Sequence, residues 1–148
     1  MGKVLSALLH LQTIERQLSD VRRRLNARQN AVAAQEKRIA EFREDWQALH
    51  DQGIQCRKAA DGFELELKQR EEKVVSLRNA LNQAKTNKEY AAILTQINTI
   101  KADNTKLEEQ ALEAMQKYES VKAEADELQI RIESEQKRLE EITAFRAQ

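Results

Sequence analysis

From Val4 to Leu49 the apolar residues follow one another at heptad-compatible steps: Val4, Leu11, Ile14, Leu18, Val21, Leu25, Val32, Ile39, Phe42, Trp46 and Leu49. Steps of three and four put them on one stripe of an α-helix, the signature of a coiled-coil seam, with Arg28 and Gln35 as polar exceptions. The same register continues without adjustment through Gly53, Cys56, Ala60, Phe63, Leu67, Arg70, Val74, Leu77, Leu81 and Ala84. The chain has no proline and only three glycines, so nothing in it obliges a helix to stop. Gly53 and Gly62 each weaken a helix by roughly 1 kcal/mol relative to alanine, so a kink or local interruption is expected over 51–62, within one arm.

A second seam runs through Tyr90, Ile93, Ile97, Ile100, Asn104, Leu107, Ala111, Ala114, Tyr118, Val121, Ala125, Leu128, Ile132, Glu135, Leu139 and Ile142. It is out of phase with the first, and the mismatch is neither of the usual coiled-coil slips of three or four residues. Between the seams lie Lys85, Thr86, Asn87, Lys88 and Glu89. Asparagine tolerates the left-handed conformation that ends a helix, and Thr86 with Glu89 has the capping-box spacing that starts one. The sequence therefore predicts an all-α fold: a long antiparallel coiled-coil hairpin with arms 1–84 and 90–148 and a tight turn over 85–89, centred near Asn87.

Folding back there pairs residues equidistant from Asn87. Leu81 meets Ile93, Leu77 meets Ile97, Val74 meets Ile100 and Leu67 meets Leu107. Phe63 faces Ala111, Cys56 faces Tyr118, Leu49 faces Ala125, and Trp46 and Phe42 face Leu128 and Ile132. Large residues opposite small ones fill a narrow interface without voids. Arg70 falls opposite Asn104, a pair expected to hydrogen-bond and fix the register. Glu135 opposite Ile39 and Arg28 opposite Arg146 fit less well and are expected to reach for water along their own stems. Tyr90 is expected to pack on Ala84 and close the hairpin, leaving Lys88 and Glu89 exposed.

The arms are unequal. About 25 residues of the first have no opposing helix, which leaves the seam through Val4, Leu8, Leu11, Ile14, Leu18, Val21 and Leu25 uncovered. An apolar patch of that size marks an interaction surface. The second arm ends in ITAFRAQ, in register and with no stop signal, so either more protein is expected to follow or this end recruits a second copy. Charge is zero overall but unevenly placed: Arg22, Arg23, Arg24 and Arg28 crowd the first arm, and the stretch from Lys101 onward is acidic.

No apolar run is long enough to span a membrane, and a single cysteine cannot form an intramolecular disulfide, so a cytoplasmic protein is expected. Phosphate loops, nucleophile elbows and H-E-x-x-H are all missing, which makes a non-enzymatic role the expectation. His50, Asp51, Cys56 and Asp61 are types that ligate metal, yet His50 and Cys56 point to different faces of one helix, and Cys56 reads as a buried packing residue. His10 reads as a surface residue, and Trp46 with Phe42 as core packing. Consecutive arginines fan around a helix with no aromatic residues among them for base stacking, so a solvated or partner-facing surface is the plainer reading of Arg22 to Arg24.

The segment KTNKEYAAILTQI, Lys85 to Ile97, resembles the hairpin tip of a widespread bacterial family in which a long antiparallel coiled-coil hairpin precedes a C-terminal zinc ribbon with four cysteine ligands. Thr86, Asn87, Lys88, Glu89, Tyr90, Leu94 and Ile97 carry the resemblance, and heptad helices extend it over nearly the whole chain. It implies a scaffold that presents the ribbon to nucleic acid or to a transcription, flagellar or secretion partner. This sequence departs from the family by having no C-x-x-C pair, so no zinc ligand can be carried over and no cofactor is expected in this chain. Zinc is expected only if the ribbon follows.

The expected function is thus protein–protein interaction, with contacts at the tip (Thr86, Asn87, Lys88, Glu89, Tyr90) or along the N-terminal arm (Leu11, Ile14, Leu18, Val21, Arg22, Arg23, Arg24, Leu25). A protein partner is expected, a homodimer through the arm is one form of it, nucleic acid would enter through the missing ribbon, and no membrane or small-molecule substrate is implied. Two alternatives stand beside it: direct nucleic-acid binding by the basic arm, and a coiled-coil arm of a chromosome-organising ATPase, which would need head domains with a phosphate loop.

Overall fold

The computed structural model describes residues 1–146, with side chains through residue 144. Two helices, α1 (Gly2–Asn82) and α2 (Asn87–Arg146), pack against each other as an all-α hairpin, with no strand among the described residues. From Val32 to Ala84 every seam position is buried or half-buried, and Glu66 is the one residue off the seam that shares this burial. From Ile93 to Ile142 the same holds, with Met115 and Gln136 as the additions.

The interruption expected over 51–62 does not occur: α1 stays helical through both glycines, and neither has a positive φ. Strong helix formers around them, Arg57, Lys58, Ala59 and Ala60 among others, outweigh the glycine penalty. The turn also differs from expectation. It spans Gln83–Thr86, upstream of Asn87, which is the first residue of α2. No described residue has a positive φ, so α1 does not end on a left-handed asparagine. It ends by tightening, with the amides of Gln83 and Ala84 donating to the carbonyls of Ala80 and Leu81 at 3.1 and 3.3 Å. These i to i−3 bonds satisfy carbonyls that would otherwise be orphaned at the helix end.

The chain divides into two compact units, Trp46–Glu127 and Met1–Asp45 with the stretch from Leu128 onward. In the first, Cys56, Ala60, Val74, Ile97, Leu107, Val121 and Ala125 are buried. A Cβ placed on Gly53 would lie 3.7 Å from Val121 Cγ1, a direct marker of the register, since these two residues are equidistant from Asn87. Arg70 does not bond Asn104 as expected. It donates to Glu66 Oε1 at 3.0 Å, one turn back on its own helix, and pairs with Asp103 at 3.7 Å. Two carboxylates outcompete a neutral amide for a guanidinium. Asn104 is left buried, and its Oδ1 has no hydrogen-bond partner among the described residues.

In the second unit Val32, Gln35, Ile39 and Ile132 are buried. Glu135 does not reach for water: its side chain is 12% exposed and accepts a 2.6 Å hydrogen bond from Gln35 Nε2, which also donates to the Glu135 carbonyl at 3.0 Å. Two of the seam's polar residues, Gln35 and Glu135, are therefore partners. Arg38 adds an ion pair to Glu135 at 3.5 Å and Arg43 donates to Gln136 at 3.3 Å. The Gln35 hydrogen bond, helped by Arg38, Arg138 and Arg131, holds the Glu135 carboxyl below its ordinary pKa against the opposing effect of desolvation. Phe42 is half-buried rather than core, with the guanidinium groups of Arg131 and Arg38 at 4.8 and 5.5 Å from its ring centre. The expected meeting of Arg28 with the Arg146 side chain lies outside the described residues.

Candidate interaction surfaces

The tip is built by a variant of the capping box, in which the glutamate reaches the amide one residue before the cap. Thr86 caps α2: its Oγ1 accepts from the Glu89 amide at 3.1 Å, while Glu89 Oε2 accepts from the Lys85 amide at 3.3 Å. Glu89 in the first turn also faces the positive end of the helix dipole. Asn87 and Lys88 are exposed, and so is Tyr90, at 49%. A motif that holds the turn through Thr86 and Glu89 accordingly leaves Asn87, Lys88 and Tyr90 open to solvent.

On the N-terminal arm every residue from Met1 to Ala31 is exposed. Leu11, Ile14, Leu18, Val21 and Leu25 continue the seam in phase, yet they are 46–60% exposed, where Ile39 and Ile97 at equivalent positions are nearly covered. Closer to Met1 the apolar stripe widens. Val4, Leu5, Leu8 and Leu9 are all exposed, a face broader than two-helix packing requires. Arg22, Arg23 and Arg24 are exposed and make no ion pair with one another's neighbours among the described residues, although Glu15 and Asp20 lie within two turns.

A third feature was hidden in the sequence. Gly53, Cys56 and Ala60 are small at consecutive seam positions, and beside Gly53 a groove of about 440 Å³ opens between α1 and α2. Trp46 and His50 wall it as a stacked pair, ring centres 4.8 Å apart at 11°, and Tyr118 walls it opposite with Arg57 5.4 Å over its ring. Trp46 and His50 are one turn apart, so their pairing was readable, and Gly53 was placed on the seam; the notch itself follows from the side-chain volume missing there, which no motif marks. The groove has no nucleophile beside a base. Cys56 is buried, as the sequence suggested, and no group of three or more His, Cys, Asp or Glu gathers to hold a metal among the described residues. No helix among them is long and apolar enough to cross a membrane.

Compared with protein-family models, with curated proteins and with solved structures, the chain matches none.

Proposed function

We propose that this chain is a non-enzymatic coiled-coil scaffold that engages a protein partner along the seam from Val4 to Leu25. The observation that carries the reading is the change in burial along one unbroken stripe: covered from Val32 onward, uncovered before it, with no change in residue type. A helix that keeps seam chemistry where it has no neighbour is built to receive one. The resemblance of its tip to hairpins that carry a zinc ribbon supports a role in presenting a partner to nucleic acid or to a transcription, flagellar or secretion protein, although this sequence has no C-x-x-C pair to hold zinc. Affinity capture with the whole chain tests the docking surface. A protein retained by the native chain and lost with Leu11→Glu/Leu18→Glu supports it, and retention unchanged by that pair overturns it.

Direct nucleic-acid binding is the second reading, favoured by the exposure of Arg22, Arg23 and Arg24 in consecutive positions. It requires retention on single- or double-stranded nucleic acid at low salt that falls steeply as salt rises. No retention at low ionic strength ends it.

A further inference from the structure

We infer that the groove beside Gly53 binds a linear amphipathic anion, its apolar tail lying along Ile54 toward Trp46 and its carboxylate held between Lys58 and Lys122. This goes beyond the docking role proposed for the N-terminal arm and is independent of it. The volume of the groove, about 440 Å³, falls in the range of small-molecule sites. Its lining is apolar along most of its length, through Trp46, Leu49, Ile54, Tyr118 and Ala125. Ile54 lies off the seam and is 41% exposed, so it does not serve the packing of the two helices. With the half-buried rings of Trp46 and Tyr118 it leaves an apolar trough open to water.

Length and charge choose the occupant. Trp46 and Lys58 are twelve residues apart on α1, roughly 18 Å at the helical rise, so the trough suits a chain rather than a compact ring. The register that sets Gly53 against Val121 puts Tyr118 level with Cys56, Lys122 with Gln52 and Asp126 with Ala48. The cations of the lining therefore gather toward the Tyr118 end, and its carboxylate, Asp126, lies toward Trp46. Side chains on a helix lean toward its N-terminus, so on antiparallel helices Lys58 and Lys122 lean toward each other. Arg57 is already engaged, by Asp61 at 3.4 Å and by the Tyr118 ring. Lys58 and Lys122 are exposed and make no ion pair among the described residues. Two ammonium groups thus converge over one end of an apolar trough. An anionic head there, with a hydrocarbon tail running toward Trp46, matches both ends; the reverse orientation would set the head beside Asp126.

Titrating the intact chain, below the micellar range, with dodecanoate and with dodecyltrimethylammonium tests this, because the two probes share a tail and differ in head charge. Trp46 is the single tryptophan, so its fluorescence reports the groove directly, and calorimetry gives the stoichiometry. Two exposed charge pairs together amount to about a tenfold preference, so one dodecanoate should bind per chain about tenfold more tightly than the cation. Lys58→Glu with Lys122→Glu should abolish or invert that preference. Ile54→Gln should weaken dodecanoate several-fold while keeping the preference for the anion. All three side chains are exposed, so both variants should keep the helicity of the native hairpin by circular dichroism. Equal affinity for the two heads, a preference that survives the lysine reversal, or neither fluorescence change nor heat with dodecanoate overturns the inference. Shielding of Trp46 from acrylamide that grows with protein concentration and excludes dodecanoate overturns it too, and assigns the groove to a second copy.

Discussion

Replacing Asn104 by leucine should stabilise the hairpin. Asn104 is 8% exposed at a seam position between Ile100 and Leu107, and its Oδ1 accepts no hydrogen bond among the described residues. Arg70 across the interface is engaged by Glu66 and Asp103. A buried acceptor without a partner costs about 1–3 kcal/mol, and leucine, close to asparagine in shape, removes that cost while burying apolar surface in its place. Allowing for some strain in refitting the layer, the gain should be about 2 kcal/mol, or several degrees in Tm for a chain of this size. Urea unfolding followed by far-ultraviolet circular dichroism reads it as a higher midpoint with an unchanged slope. The loss would be in specificity, since a polar seam residue penalises slipped registers. A midpoint that falls by the equivalent of 1 kcal/mol or more refutes the reasoning, because Asn104 would then be making an interaction worth more than its burial costs.

Gly62→Ala should stabilise by about 1 kcal/mol through helix propensity alone, because a Cβ there meets nothing within 4 Å and the backbone is helical; the same urea titration checks it. Thr86→Ala removes the acceptor for the Glu89 amide and should cost about 1 kcal/mol, with amide exchange quickening first in the opening turn of α2. Glu135 has a lowered pKa in the fold, so its contribution is fully present above the ordinary carboxylate value of 4.5 and is lost as pH falls through the lowered folded value. Stability measured against pH for Glu135→Gln should therefore differ from the native chain by a constant above that value, with the difference shrinking in acid.

Most of the hairpin was legible because coiled-coil packing depends on residue type at a fixed period, and the period survives in the sequence. The register was readable too: residues equidistant from Asn87 meet, as Gly53 and Val121 do. Polar detail was not legible in the same way. Arg70, Gln35 and Glu135 were placed correctly on the seam, yet a long side chain chooses among partners one turn away on either helix, and that choice follows from local charge rather than layer. The turn was misplaced by a few residues because α1 ends through tightened i to i−3 bonds, which need no special residue type and leave no mark in the sequence. Of the interaction surfaces, the N-terminal arm followed from counting residues in the two arms. The groove beside Gly53 did not, since it arises from missing side-chain volume rather than from a motif.

The claim beneath all of this is that the chain reverses once and pairs Gly53 with Val121 inside one molecule. Cysteines at both positions, Gly53→Cys with Val121→Cys in a Cys56→Ser background, should close an intramolecular disulfide under mild oxidation, because the Gly53 Cβ position lies 3.7 Å from a Val121 methyl carbon and disulfides need closely apposed Cβ atoms. The account predicts a species of monomer mass whose oxidation rate is independent of protein concentration. Disulfides found only between chains, or none at all, would contradict it.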